Sequence, residues 1–224
     1  MKSFTILIGI LFLGTISNGQ ITKGTVQLGG SISSSSNDTK YDYAAPNVNS
    51  SYEAISKSTS VNLSISKAFK DNVVYGISLG FAPSSSNNNN YKGDYNISHT
   101  NAYSTGVFIR KYNKIIDGLY LFNQMGIGFS YTQNKSKNTN TSPTEVSNSN
   151  VGNISFSPGI AYRIYQNIDF ELTVPSLVSL NYINNRTALP YSNPAQSNHN
   201  NSFGLSSSLN FSSIALGVRI ILKK

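Results

Sequence analysis

The chain of 224 residues has no Cys and no Trp, and only 12% of its residues are charged; a disulfide framework, thiolate chemistry and a Cys-based metal site are therefore excluded. Its formal charge of +8 is spread over separated Lys and Arg residues without a basic run, which argues against a nucleic-acid partner and for a loose attraction to anionic headgroups or surface polysaccharide. Hydrophobic content is 38%, little for a packed globular core, yet there are 14 Tyr and 11 Phe. A length of this order predicts one folded domain.

Met1–Gly19 reads as a secretory signal peptide: Lys2, an apolar run from Phe4 to Leu13, then Ser17-Asn18-Gly19 with small residues for cleavage before Gln20. The apolar run falls short of the ~20 residues a spanning helix needs. No Cys follows it to carry a lipid anchor, so residues 20–224 form the predicted mature domain.

From there, patterned runs alternate with polar ones. Strands are predicted over Thr25–Ser34, Thr59–Phe69, Val73–Pro83, Ala102–Tyr112 and Gly118–Thr132, each with apolar residues at every second position. In the fifth, Leu121, Met125, Ile127 and Phe129 share one face, and Gln124, Gly126, Gly128 and Ser130 the other. Asn123 falls on the apolar parity, and a local bulge is expected there. The stretch Val151–Tyr182 carries the clearest pattern. Ile154, Phe156, Ile160, Tyr162 and Ile164 alternate with small or polar residues, and after a turn Phe170, Leu172 and Val174 alternate with Asp169, Glu171 and Thr173. This is a hairpin with arms over ten residues, longer than the usual strand of about five or six and matched to the ~9–11 residues of a tilted transmembrane strand. A three-residue loop at 165–167 puts Arg163 opposite Asp169 and keeps each face of one kind. The eighth strand closes the chain with Ile214, Leu216, Val218, Ile220 and Leu222 on one face, and a bulge is expected near Ser212-Ser213.

Connections fall into two alternating classes. Those at 70–72, 113–117 and 165–167 are short; those at 35–58, 84–101, 133–150 and 183–201 are long and rich in Asn and Ser. Short turns on one side and long loops on the other are the habit of outer-membrane barrels. The prediction is an all-β, eight-stranded antiparallel up-and-down transmembrane barrel, apolar side chains to lipid, polar ones to the lumen, both termini periplasmic. Tyr103, Tyr112, Phe129, Tyr131, Tyr162, Tyr182 and Phe203 lie toward strand ends, where aromatic girdles are expected, and Lys67 and Lys111 sit near short turns where their amines reach water. A soluble lipocalin-like barrel would need the opposite parity.

With F-S-P-G-I-A-Y-R-I (156–164), I-D-F-E-L-T-V (168–174), L-Y-L-F-N-Q-M-G-I-G-F-S-Y (119–131) and I-A-L-G-V-R-I (214–220) in view, the chain resembles the outer-membrane β-barrel family common in Bacteroidota, similar in shape to OmpA and OmpX barrels. The resemblance is architectural and implies no catalytic residue. It implies outer-membrane lipid, lipopolysaccharide and the barrel assembly machinery as partners. Members of the family end in an aromatic residue, whereas this chain ends Ile221-Leu222-Lys223-Lys224.

Five charged residues have lumen parity: Arg110, Arg163, Asp169, Glu171 and Arg219. They read either as an ion-selective constriction or as a salt-bridge plug, and the plug is the stronger reading because an eight-stranded lumen is normally filled by side chains. Arg163, Asp169, Glu171 and Arg219 are expected in one cluster. His99 and His199 fall in or beside long loops with no third ligand spaced to help, so neither a metal site nor a hydrolase triad is expected, and no cofactor. Tyr41, Tyr43 and Tyr52 in the first long loop and Tyr191 in the last are candidates for contact with a surface ligand, although an extended strand explains Tyr41 and Tyr43 equally. The functional expectation is a monomeric envelope-structural or adhesion/binding barrel, with a small pore or transport accessory second and a barrel enzyme on outer-membrane lipid third.

Overall fold

A computed structural model describes residues 21–45, 48–89, 95–138, 145–189, 196–207 and 214–222. The predicted signal peptide, the expected bulge at Ser212-Ser213 and Tyr191 lie outside the described residues. Ten strand segments follow in order: β1 (Val26–Ala45), β2 (Val48–Lys70), β3 (Val73–Asn89), β4 (Tyr95–Ile116), β5 (Leu119–Asn138), β6 (Glu145–Tyr165), β7 (Ile168–Thr173), β8 (Val178–Leu189), β9 (Gln196–Ser207) and β10 (Ala215–Leu222). Every pairing is antiparallel; β1 to β6 pair in sequence, β6 pairs with both β7 and β8, and β10 joins β7 to β1. β7 with β8, and β9 with β10, each make one barrel strand, so the ring has eight.

Side chains divide as alternation requires. Leu63 and Ile127 on the outside are each 62% exposed, whereas Asp169, Glu171 and Arg219 on the inside are 1%, 5% and 2% exposed. β10 alternates buried and exposed along its whole length. Such a surface is stable only against hydrocarbon, where ladder pairing around a ring satisfies the backbone groups that lipid cannot. The chain is a transmembrane β-barrel. Two cross-strand aromatic pairs flank the apolar band, Phe69 with Tyr75 at 5.9 Å near the short turns and Phe81 with Tyr103 at 5.2 Å toward the other end. Tyr112 departs from the expected girdle: it points inward and is buried.

The short turns are tighter than expected. Each is two residues, Asp71-Asn72, Asp117-Gly118 and Gln166-Asn167, and each is preceded by a register shift that skips Phe69, Ile115 or Ile164. The bulge at Ile164 corrects the three-residue loop expected at 165–167: it absorbs the extra residue and keeps Arg163 opposite Asp169. Asn72 and Gly118 supply the left-handed conformation these turns need, with φ of 60° and 82°. No bulge occurs at Asn123, whose pairing to Lys111 and Pro158 is continuous. Its Oδ1 is buried without a partner next to a proline that has no N–H to offer.

The long polar connections are the main correction. Most of 35–58, 84–101, 133–150 and 183–201 is strand, and β2 reaches 23 residues. At ~3.3 Å per residue that is roughly 75 Å of strand, far more than the apolar band of ~25 Å takes up even when tilted. The extensions hold together by ladder bonds and cross-strand polar pairs: Ser35 with Ser58 at 2.7 Å, Ser98 to Asn134 at 2.5 Å, Ser136 to Asn96 at 2.7 Å, Lys40 with Glu53 at 2.9 Å. The seventh barrel strand, expected as one long arm, is broken at 174–177. Pro175 lacks an N–H and Ser176 takes a φ of 50°; Val174 N–H donates to Pro158 O and Ser176 N–H to Ser157 Oγ, both at 2.9 Å. Above Ile32, which faces Leu216, β1 pairs only with β2 and β9 only with β8 among the described residues.

Arg in place of Leu63 or Ile127 should destabilise the barrel in lipid vesicles by about 2–4 kcal/mol in denaturant titrations, the cost of a cation near the bilayer midplane. Ser36→Arg, beyond the band, should leave the midpoint unchanged.

Candidate functional site: a closed lumen floor under a polar cavity

Inward residues change in kind from the short-turn end upward, and the sequence of each strand sets the layer. The lowest layer is apolar: Val74, Tyr112, Tyr120, Phe122 and Ala161 pack with Ile21 and Ala68 across the base. Ile21 is held there because residues 21–25 fold back onto the first turn. Asn72 N–H donates to Ile21 O at 2.9 Å, Lys23 N–H to Asp71 Oδ1 at 2.8 Å and Gly24 N–H to Ala68 O at 2.8 Å.

Charges occupy the next layer. Glu171, from β7, lies between two guanidinium groups that come from different sides of the ring. Arg219 of β10 donates through Nε to its Oε1 at 2.7 Å and through Nη2 to its Oε2 at 3.1 Å. Arg110 of β4 reaches across the lumen and donates through Nη1 to the same Oε1 at 2.6 Å. Gln124 Oε1 accepts from Arg110 Nε at 3.0 Å and Nη2 at 2.7 Å, and the Arg110 guanidinium stacks 4.0 Å from the Phe122 ring centre. Tyr112 OH accepts from Arg110 Nη1 at 3.1 Å. Charge-assisted bonds of this length, shielded from water, are the strong kind.

Arg163 and Asp169 form a second, separate pair nearer the short turns, joined through Nε to Oδ1 and through Nη2 to Oδ2 at 2.9 Å. The single cluster of four expected from parity is thus two assemblies, with Arg110 in the upper one. Facing positions on β6 and β7 fix the Arg163–Asp169 pair, whereas Arg110 meets Glu171 through space, across a diameter that no register specifies.

Above the charges the lumen opens into a cavity of about 460 Å³ with hydroxyl and amide walls that include Asn62, Ser64, Ser78, Ser104, Asn153 and Ser155. Asn62 and Ser104 point inward and are nonetheless exposed, so water enters from the long-hairpin end. Gly76 and Gly106 make room where inward faces crowd: a Cβ on Gly76 would lie 2.6 Å from both Phe108 and Ser66 side chains.

The other candidates do not converge. Tyr41 and Tyr52 are register partners on the β1–β2 extension, and Tyr43 faces Ser50; their side chains lie outside the described residues. His99 sits in strand β4 opposite Ser85 and Lys135, and His199 in β9, with Nε2 2.9 Å from Asn184 Nδ2; both histidines are in strands and not in loops. No group of three metal-ligating side chains occurs among the described residues.

No protein-family model and no curated protein matches the sequence. Among solved structures, the chain is similar to outer membrane protein OprG from Pseudomonas aeruginosa, with 14% identity, a TM-score of 0.46, and coverage of 92% of this chain and 100% of that one. It is similar also to the translocator domain of autotransporter NalP from Neisseria meningitidis, with 14% identity, a TM-score of 0.45 and coverage of 98% and 74%. Neisserial surface protein A follows at 12% identity, a TM-score of 0.40 and coverage of 88% and 97%. These are likenesses of barrel form at low identity; the strand ring and the division of side chains described above identify the barrel without them.

Glu171→Gln should destabilise the folded barrel by about 3–5 kcal/mol, because two buried guanidinium groups lose the carboxylate they share. Arg163→Ala should lower the melting temperature through the uncompensated charge on Asp169. An unchanged melting temperature in either variant would show that the pairs do not form in lipid.

Proposed function

We propose that this chain is an outer-membrane barrel acting from the cell surface in an envelope-structural or binding role, and not a conduit. The observation that carries the reading is the blind lumen. Its short-turn end is closed first by the Ile21–Phe122 apolar layer and again by the Arg110–Glu171–Arg219 layer, while the opposite end admits water. A path for ions through that floor would require both layers to part.

The alternation of short turns and long hairpins supports an orientation in which the two-residue turns and both chain ends face the periplasm and the polar sheet extensions stand outside the cell. Export by the Met1–Gly19 signal peptide, insertion by the barrel assembly machinery, lipid and lipopolysaccharide as the surrounding medium, and a monomeric state complete the proposal. So does membership of the Bacteroidota-type barrel family. A surface ligand held through the extensions, near Tyr41, Tyr43, Tyr52 and Tyr191, belongs to the same reading. No reacting group is assigned.

In planar bilayers the purified protein should show no steady conductance, whereas Tyr112→Ala combined with Phe122→Ala, which opens the apolar layer and also removes the hydroxyl and ring that hold Arg110 in the charged one, should produce brief openings. Steady single-channel currents from the wild type would replace this reading with the pore. Membrane fractions should contain the protein in the outer membrane, with gel mobility that changes on heating.

A further inference from the structure

We propose that the lumen cavity binds a small monoanion rich in hydroxyl groups, a molecule of the sugar-acid class, which enters from the long-hairpin end. The inference rests on the blind-lumen reading above and adds a ligand to it.

Three charged residues line the cavity, Arg110, Arg219 and Glu171, so two cations share one anion and the floor carries one net positive charge. The Arg163–Asp169 pair below is balanced and adds none. A guanidinium has five N–H groups. The described partners of Arg219 take three of them, two on Glu171 and one on Ser66 Oγ at 3.5 Å, the outer limit of a hydrogen bond. The floor thus keeps a net charge for an anion, with both guanidinium groups bordering the cavity. Water is largely excluded from it, which strengthens the attraction well beyond its value in bulk solvent.

Shape and wall chemistry narrow the class. A volume of about 460 Å³ lies within the range of small-molecule sites, roughly 300–1,000 Å³. The walls offer serine hydroxyls and the amides of Asn62 and Asn153, spaced on several strands. They suit a compact solute with many hydroxyl groups. An apolar solute would strand those polar groups, and a cation would meet the floor's excess charge.

The test uses the full mature chain folded in detergent micelles, titrated calorimetrically with galacturonate, galactose and glucosamine. Galacturonate should bind, galactose roughly tenfold or more weakly, and glucosamine not at all. Gln124→Glu keeps the acceptor that Arg110 uses and cancels the floor's net charge. It should weaken galacturonate at least about tenfold with heat-modifiable mobility intact. Gly126→Leu, whose Cβ would sit in ordinary contact 3.4 Å from Val107 O, should fill the cavity and abolish binding. No galacturonate binding by the wild type, equal binding of galactose, or undiminished binding in both variants would overturn the inference. Those results leave the conductance measurement untouched, so a failed ligand and a failed blind lumen are told apart.

Discussion

A ring of eight strands encloses a lumen so narrow that inward side chains from opposite walls touch, and this constraint governs the rest of the molecule. Arg110 on β4 reaches Glu171 on β7 at 2.6 Å only because of it. Whatever residues share a height must then satisfy one another. Apolar ones stack into a base, charged ones must neutralise by direct contact because little water reaches them, and short polar ones leave space. The three layers are three solutions to one packing problem. Burial of ion pairs is costly, and Glu171 offsets that cost by accepting from both arginines at Oε1 and from Arg219 again at Oε2.

The extensions answer to a different requirement. Within the bilayer the sheet must close, since an unpaired backbone group in hydrocarbon costs several kcal/mol. Beyond it water satisfies free edges, and closure is no longer enforced. The described strands follow this division: the ring is complete where Ile32 faces Leu216, and farther out β1 and β9 each keep a single partner. Short hydroxyl and amide side chains pair across the extended strands, and charged residues such as Asp38 and Lys40 on β1 oppose the pairing with neighbouring copies that bare edges otherwise invite.

Alternation made the barrel legible from the sequence, because period-2 hydropathy records which face meets lipid. The same signal fails wherever both faces meet water. Residues 35–45 and 84–89 carry Ser and Asn on either side, so they resemble loops although they are strands. Hydropathy contrast is lost at the base of the lumen, where Val74, Phe108, Tyr112 and Phe122 are apolar and face inward; only parity, two residues on from inward Arg110, separates Tyr112 from an outward girdle residue such as Tyr103. Of the charged residues, Arg163 and Asp169 were legible as opposites because adjacent strands fix their register. The contact between Arg110 and Glu171 depends on barrel diameter and tilt, which no local pattern encodes.

Apolar replacement of a buried ionic set is often neutral or stabilising, so stability alone gives no reason for an Arg-Glu-Arg layer above a base that already closes the lumen. The base needs no help: Ile21 and Phe122 are 2% and 0% exposed, and residues 21–25 are pinned to the first turn by main-chain bonds. A second seal made of charge differs from the first in what it presents upward. Had Glu171 been matched by one arginine, the cavity above would have a neutral floor. With two, the strand register and the lumen diameter together fix a positive centre at the bottom of a hydroxyl-lined well, and that placement follows from the barrel's geometry, with no loop involved.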